Sequence, residues 1–216
     1  MTARPKAILF DWDNTLVDTW PAIHEAQNVT LRAFGLDEWS FDETRRRVRK
    51  SMRDSFPGLF GDRWEEAGQV FYRHFNAIHL DMLRPSPGAD RMLGDLCQAG
   101  LYLGVVSNKL GEVMRREADH LGWNDHFGRL VGAFDAEQDK PAAEPVELAL
   151  AGSGISRGGD VWFAGDTDVD LECASNAGCV PVLIREDAPQ TGEFKPFPPL
   201  WHFPNCLALS KLVQSL

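Results

Sequence analysis

The chain has 216 residues, 44% of them hydrophobic, and a formal net charge of -10. That length and apolar share allow one generous domain or a domain carrying an insertion, and they argue against disorder. The acidic balance disfavours nucleic-acid and anionic-membrane binding, which need clustered Lys and Arg. A small anionic substrate stays open, because local donors and a metal can outweigh distant charge.

The first residues, Met1 to Lys6, lack an apolar stretch long enough for a signal peptide. No run approaches the roughly 20 apolar residues of a membrane helix, so a cytoplasmic location is expected. Ala7 to Phe10 then reads as a buried strand, followed by Asp11 and Asp13 one residue apart. Like charges that close repel, so a fold that keeps both ionised usually supplies a cation, and Mg²⁺ suits hard oxygen donors. The same residues could instead form a plain acidic turn. From Thr15 to about residue 84 the pattern is helical, with Asp18 or Thr19 as an N-cap, Pro21 in the first turn and Gly35 as a stop. Phe71, Phe75, Ile78 and Met82 recur at helical spacing and read as core.

Pro85-Ser86-Pro87-Gly88 marks a re-entry point, after which strands and helices alternate. Helices are expected around Met92–Cys97, Val113–Leu121, Pro145–Ala151 and 168–177. Strands are expected at Leu101–Val106, Leu130–Ala133, Val161–Ala164, Val180–Ile184 and Leu200–Phe203, with a last helix opened by Pro204 and Asn205. Such alternation implies right-handed βαβ units and a parallel sheet. Residues 185–199, with four prolines and little periodicity, read as a surface loop. The cysteines (Cys97, Cys173, Cys179, Cys206) are scattered, with no thiolate zinc spacing, as expected of reduced and mostly buried thiols.

A parallel sheet presents the carboxyl ends of its strands at one edge, where open α/β sheets bind ligands. Four of those ends carry unusual chemistry: Asp11-Trp12-Asp13-Asn14-Thr15, Ser107-Asn108-Lys109, Lys140 in Asp139-Lys140-Pro141, and Gly165-Asp166-Thr167-Asp168-Val169-Asp170. Each has a plainer reading: Ser-Asn as a turn or cap, Lys140 as solvated surface, the later aspartates as acid at a helix start. Order, spacing and strand context together favour a site.

Jointly these residues resemble the haloacid dehalogenase superfamily of phosphohydrolases. Its pattern is Asp-x-Asp-x-Thr after the first strand, Ser or Thr after the next core strand, a later Lys, and Gly-Asp-x-x-x-Asp. The helical insertion, Pro87-Gly88, Ser107-Asn108-Lys109, Lys140-Pro141 and Asn176-Ala177-Gly178 are similar to the phosphoglycolate phosphatase-like branch. The resemblance implies an α/β fold: a doubly wound, Rossmann-like parallel core over residues 1–16 and 86–216, with a small inserted helical cap over 17–85. It implies Asp11 as nucleophile, forming an aspartyl-phosphate, and Asp13 as acid then base. Dehalogenase members lack a carboxylate at the second position, so Asp13 points to phosphate chemistry.

The resemblance further implies Mg²⁺ held by Asp11, the Asp13 backbone carbonyl and Asp166, with Asp170 a water-mediated ligand or a partner that orients Lys140. Thr15, Ser107, Asn108 and Lys140 would hold phosphate oxygens, and Asp168 would be helix-start acid only. The basic run Arg45 to Arg53 reads as a solvated helix face; more narrowly, Arg49, Lys50 or Arg53 could meet a substrate carboxylate, as in 2-phosphoglycolate. The expected partner is a small phosphorylated metabolite, with no nucleic acid and no membrane, and the chain is expected to be a monomer or homodimer. A β-phosphoglucomutase-like phosphomutase would share the Asp-x-Asp motif. A catalytically idle phospholigand-binding module would typically have lost one of the carboxylates that this chain keeps.

Overall fold

The computed structural model describes residues 4–48 and 51–216. In chain order its elements are β1 (Ala7–Phe10), β2 (Val17–Asp18), α1 (Trp20–Ala33), α2 (Phe41–Arg47), α3 (Met52–Phe60), α4 (Trp64–Met82), β3 (Arg84–Pro85), α5 (Ala89–Gln98), β4 (Tyr102–Leu110), α6 (Gly111–His120), β5 (Arg129–Ala133), α7 (Glu144–Leu150), β6 (Val161–Gly165), α8 (Asp168–Asn176), β7 (Val180–Ile184), β8 (Trp201–Phe203) and α9 (Cys206–Ser215). They gather into two compact units, Met1–Val17 with Pro85–Leu216, and Asp18–Arg84.

The first unit is an α/β fold built on a six-stranded sheet in the order β5-β4-β1-β6-β7-β8, every neighbouring pair parallel. β1 is buried on both faces, as parallel sheets flanked by helices require. Ala7 and Leu9 pack with Val146, Ala149 and Leu150 of α7 and with Cys173 and Ala174 of α8. Ile8 and Phe10 point the other way and are equally buried. Successive connections wind from β1 through β4 to β5, then return to β6 on the other side of β1. The strand order therefore reverses at β1, which puts the ligand crevice of such a sheet at its carboxyl end.

Two expectations need correction. β4 does not stop at Val106 but runs to Leu110, with a register shift against β5 between those residues. Ser107 and Lys109 are consequently buried in an irregular stretch of strand rather than in a turn that follows it. Polar residues stay there because Lys109 finds charged partners inside. The loop over 185–199 is not purely surface either. Phe194 is buried against Leu171 and Leu183, and Arg185 forks onto Glu193 with contacts of 2.8 and 3.0 Å. Apolar burial and a bidentate ion pair hold a segment that has no periodicity to announce it.

The second unit is helical. Leu31, Trp39, Phe56, Phe60 and Ala67 form its core, with Phe34, Trp64 and Phe71 packed against them. Asn28 brackets the Trp39 backbone, donating to its carbonyl at 2.9 Å and accepting from its N–H at 2.8 Å. That clamp fixes the chain entering α2, where Ser40 and Glu43 form a reciprocal capping box. The Phe71–Phe75 stripe packs as expected, the two rings stacked 5.6 Å apart.

Candidate active site

The site begins with the sheet. β1 delivers Asp11 at its carboxyl end, where the Asp11 N–H donates to the Ala164 carbonyl of β6 at 2.9 Å. That bond sets the Asp11 backbone beside the end of β6, from which Asp166 and the first turn of α8 follow. Gly165 is needed at this corner because a Cβ there would run into the Asp170 side chain. Asp170 accepts from Thr167 N–H at 3.0 Å and from its hydroxyl at 2.8 Å, which locks one of its oxygens. One ligand oxygen from each of Asp11, Asp166 and Asp170 lies within 4.8 Å of the others.

Lys140 closes this acid cluster. Its ammonium sits 2.7 Å from Asp11 Oδ1 and 2.6 Å from Asp170 Oδ1, and all three side chains are nearly inaccessible. Asn108 Nδ2 donates to the Lys140 carbonyl at 3.1 Å, tying β4 to the lysine segment. Asn176 Nδ2 does the same for the Pro141 carbonyl at 2.9 Å, and the Lys140-Pro141 bond is cis. The sequence therefore carries Lys140 inward on a short anchored turn rather than leaving it on the surface.

The electrostatics follow from burial. Loss of water pushes the Asp11 carboxyl up to about 6, against the pull of Lys140 and with the push of Asp170. Burial, then the charges of Asp170 and Asp11, hold Asp166 well above the usual carboxylate range. Burial opposes the charge of Lys140, but Asp11 and Asp170 outweigh it, so the ammonium is held above its ordinary pKa. Three carboxylates around one ammonium leave an excess of negative charge in a dry place. A small hard dication matches both that charge and an all-oxygen donor set.

Asp13 lies outside this cluster of carboxylates. Its side chain is about one-fifth exposed, at 21%, and its Oδ1 accepts from Lys109 Nζ at 2.8 Å. No Asp13 carboxylate oxygen belongs to the group formed by Asp11, Asp166 and Asp170. Thr15, expected to meet phosphate, is buried, and its hydroxyl donates to Asp166 Oδ1 at 3.3 Å. Ser107 is buried two residues before Lys109, whose N–H donates to the Ser107 hydroxyl oxygen at 3.3 Å. Asp168 opens α8. Arg53 is half-buried in α3 of the helical unit; Arg49 and Lys50 fall outside the described residues. Of the same basic run, Arg45 lies 5.8 Å over Trp20, and Arg47 4.8 Å over Trp39 with a bridge to Glu43.

Sequence reasoning missed two groups beside the site. In the sequence Lys109 belongs to the Ser107-Asn108-Lys109 motif with no task of its own, and no motif contains Glu117. Yet Glu117 shares a helical face with Val113, Met114, Ala118 and Leu121, the first three fully buried. A carboxylate on the apolar face of a helix signals a hidden cation partner, and that partner is Lys109, 2.9 Å away.

The family described as haloacid dehalogenase-like hydrolase matches residues 8–184. A phosphoglycolate phosphatase of Aquifex aeolicus is 32% identical over 176 residues, covering 80% of this chain and 81% of its own. Pyrophosphatase PpaX of Halalkalibacterium halodurans is 26% identical over 177 residues, 82% of each chain. Among solved structures, a haloacid dehalogenase-like family hydrolase of Streptococcus pneumoniae shares the fold. Its TM-score is 0.84 at 21% identity, with 97% of this chain and 98% of that one covered.

Proposed function

The chain belongs to the haloacid dehalogenase-like hydrolase family, and on that premise we propose that it is a Mg²⁺-dependent phosphatase of a small phosphorylated metabolite. The observation that carries this reading is the grouping of Asp11, Asp166 and Asp170 around one buried lysine at the end of β1. Family membership and the phosphatase names of its relatives make it a phosphoric monoester hydrolase. No helix among the described residues is long and apolar enough to cross a membrane. With free, mostly buried cysteines, the reading is of a cytoplasmic enzyme.

Asp11 attacks phosphorus through its carboxylate and forms an aspartyl-phosphate. Mg²⁺, held by Asp11, Asp166 and the Asp13 backbone carbonyl, would offset the repulsion between two anions and neutralise charge on the transferring group. Lys140 keeps Asp11 aimed and ionised and supplies a point charge to a phosphoryl oxygen. Asp170 orients Lys140. Ser107 and the Asn108 backbone hold further phosphoryl oxygens, and Thr15 steadies Asp166. Asp13 protonates the leaving oxygen, then takes a proton from the water that hydrolyses the phosphoenzyme.

In this reading the helical segment over 17–85 selects the substrate, and Arg49 and Arg53 are its candidate anion contacts. 2-Phosphoglycolate heads the substrate list, supported by the relative's name; pyrophosphate follows on the same ground. The test is phosphate release from a panel that holds both, with sugar phosphates and nucleotides, with and without Mg²⁺. Metal-dependent release with a preference for 2-phosphoglycolate is expected. No release from any member would contradict the proposal.

A further inference from the structure

Asp13 must change its protonation twice in one turnover, and such a group needs a fixed orientation. The hold on it runs through a second buried lysine. Lys109 Nζ bridges Asp13 Oδ1 at 2.8 Å and Glu117 Oε1 at 2.9 Å. The other Glu117 oxygen, Oε2, accepts from Trp12 Nε1 at 2.7 Å. Because Trp12 precedes Asp13 in the chain, the contacts close a ring. Trp12 is itself wedged edge-on against Trp123 at 5.7 Å and Phe127 at 6.4 Å. The ring is dry at Glu117, which is wholly inaccessible, and opens only at Asp13.

Burying these charges costs several kcal/mol per ion before pairing, and an apolar cluster of similar volume commonly gives equal stability. Stability alone does not call for a carboxylate at 117. We propose that Glu117 is a positioning residue that acts through Lys109, so that the pair orients the Asp13 carboxylate for both of its proton transfers. This rests on the phosphatase reading and on Asp13 as its acid and base. With Oδ1 engaged by Lys109, Oδ2 carries the proton. That proton passes to the leaving oxygen as its bond to phosphorus breaks. Oδ2 then takes a proton from water as the water oxygen bonds to phosphorus and the Asp11 carboxylate is released.

The test compares two esters in the Mg²⁺-loaded enzyme: p-nitrophenyl phosphate, whose leaving oxygen needs no proton, and glycerol 2-phosphate, whose leaving oxygen does. kcat/KM reports steps up to phosphoryl transfer, while kcat also includes hydrolysis of the phosphoenzyme. Glu117→Gln keeps an acceptor for Trp12 but removes the second carboxylate from Lys109. On the alkyl ester its kcat/KM is expected to fall about tenfold to a hundredfold, at or below the bottom of the range for complete loss of general acid catalysis, because the acid is misaligned rather than removed. On the aryl ester kcat/KM stays within about threefold, while kcat and KM fall together because the phosphoenzyme waits for its water. In an Asp13→Asn background the same change adds nothing. Lys109→Met with Glu117→Gln removes both charges at once and guards against a misfolded single variant; the same split is expected. Equal loss of kcat/KM on both esters, or further loss in the Asp13→Asn background, would overturn the positioning role alone. Failure of the wild type on both esters would overturn the phosphatase reading and this role with it.

Discussion

Lys140 and Lys109 are two answers to one problem. Each is a buried ammonium held between two carboxylates, 2.7 and 2.6 Å away for the first and 2.8 and 2.9 Å for the second. Each is held above its ordinary pKa because its partners outweigh the effect of burial. They differ in what remains unbalanced. Around Lys140 a third acid, Asp166, stands close to the other two, and burial pushes both Asp11 and Asp166 toward the protonated form. Around Lys109 the far carboxylate is satisfied by the Trp12 indole. One lysine sits in an arrangement that wants a cation; the other sits in one that already closes. In the proposed reading the same residue type serves a reacting centre in one place and a supporting frame in the other.

Asp11→Asn is the harshest way to break that contrast. The account predicts a loss of turnover on the order of 10⁴-fold or more, as for removal of a nucleophile elsewhere. The variant stays folded, and its thermal midpoint without metal does not fall, because a desolvated carboxylate has been removed. A variant that kept most of its activity would dismiss Asp11 as nucleophile. Next come the lysines themselves. Lys140→Met and Lys109→Met each strand buried carboxylates, so each is expected to lose about 3–5 kcal/mol in denaturant titrations of the metal-free protein. Measured against the wild type in the same Mg²⁺, the deficit should shrink in Lys140→Met and stay unchanged in Lys109→Met. Equal recovery in both would erase the distinction.

Metal binding sharpens the comparison further. At a hundredfold excess over its dissociation constant, Mg²⁺ should stabilise the wild type by about 2.7 kcal/mol. Asp166→Asn should need far more metal for the same shift. Asp13→Asn should need no more, because its carboxylate stands outside the cluster and its backbone carbonyl is kept.

pH reads the same imbalance. Burial raises Asp11 to about 6 from 3.8, so the metal-free folded state binds a proton more tightly than the unfolded chain does. Its contribution to stability is therefore fullest below about 4 and declines as pH rises toward about 6. Activity runs the other way, since the nucleophile must be ionised: turnover falls on the acid side. Raising Mg²⁺ favours the carboxylate and should move that acid limb to lower pH. A limb that ignores metal concentration would separate Asp11 from the cation. The smallest effect is expected in the helical unit. Arg63 and Glu66 pair at 2.9 Å but are both largely exposed, so Arg63→Ala should leave the thermal midpoint where it was.

Legibility divided along physical lines. The strand Val180–Ile184 has its expected ends because an apolar run there is bounded by Gly178 and a charged pair. Asp11, Lys140, Asp166 and Asp170 could be gathered from sequence because a parallel sheet sends every strand end to one edge. What could not be read is which oxygen each lysine takes. Lys109 and Lys140 look alike in one dimension, and their partners lie 96 and 129 residues away for Asp13 and Asp11. Glu117 left a clue, a charge on an apolar helix face, that only a search for its cation would have used. The basic run stayed opaque for another reason. Arg45 and Arg47 are laid over Trp20 and Trp39, and stacking of that kind depends on tertiary packing that no local pattern encodes.

The account stands on Asp11 as the group that carries the phosphoryl. The most direct measurement is acid quenching during turnover of p-nitrophenyl phosphate with Mg²⁺, followed by peptide mapping of the trapped phosphate. Phosphate on the peptide bearing Asp11, absent from Asp11→Asn and more abundant in Glu117→Gln, is the predicted result. Turnover without any protein-bound phosphate, or phosphate at a residue other than Asp11, would contradict it.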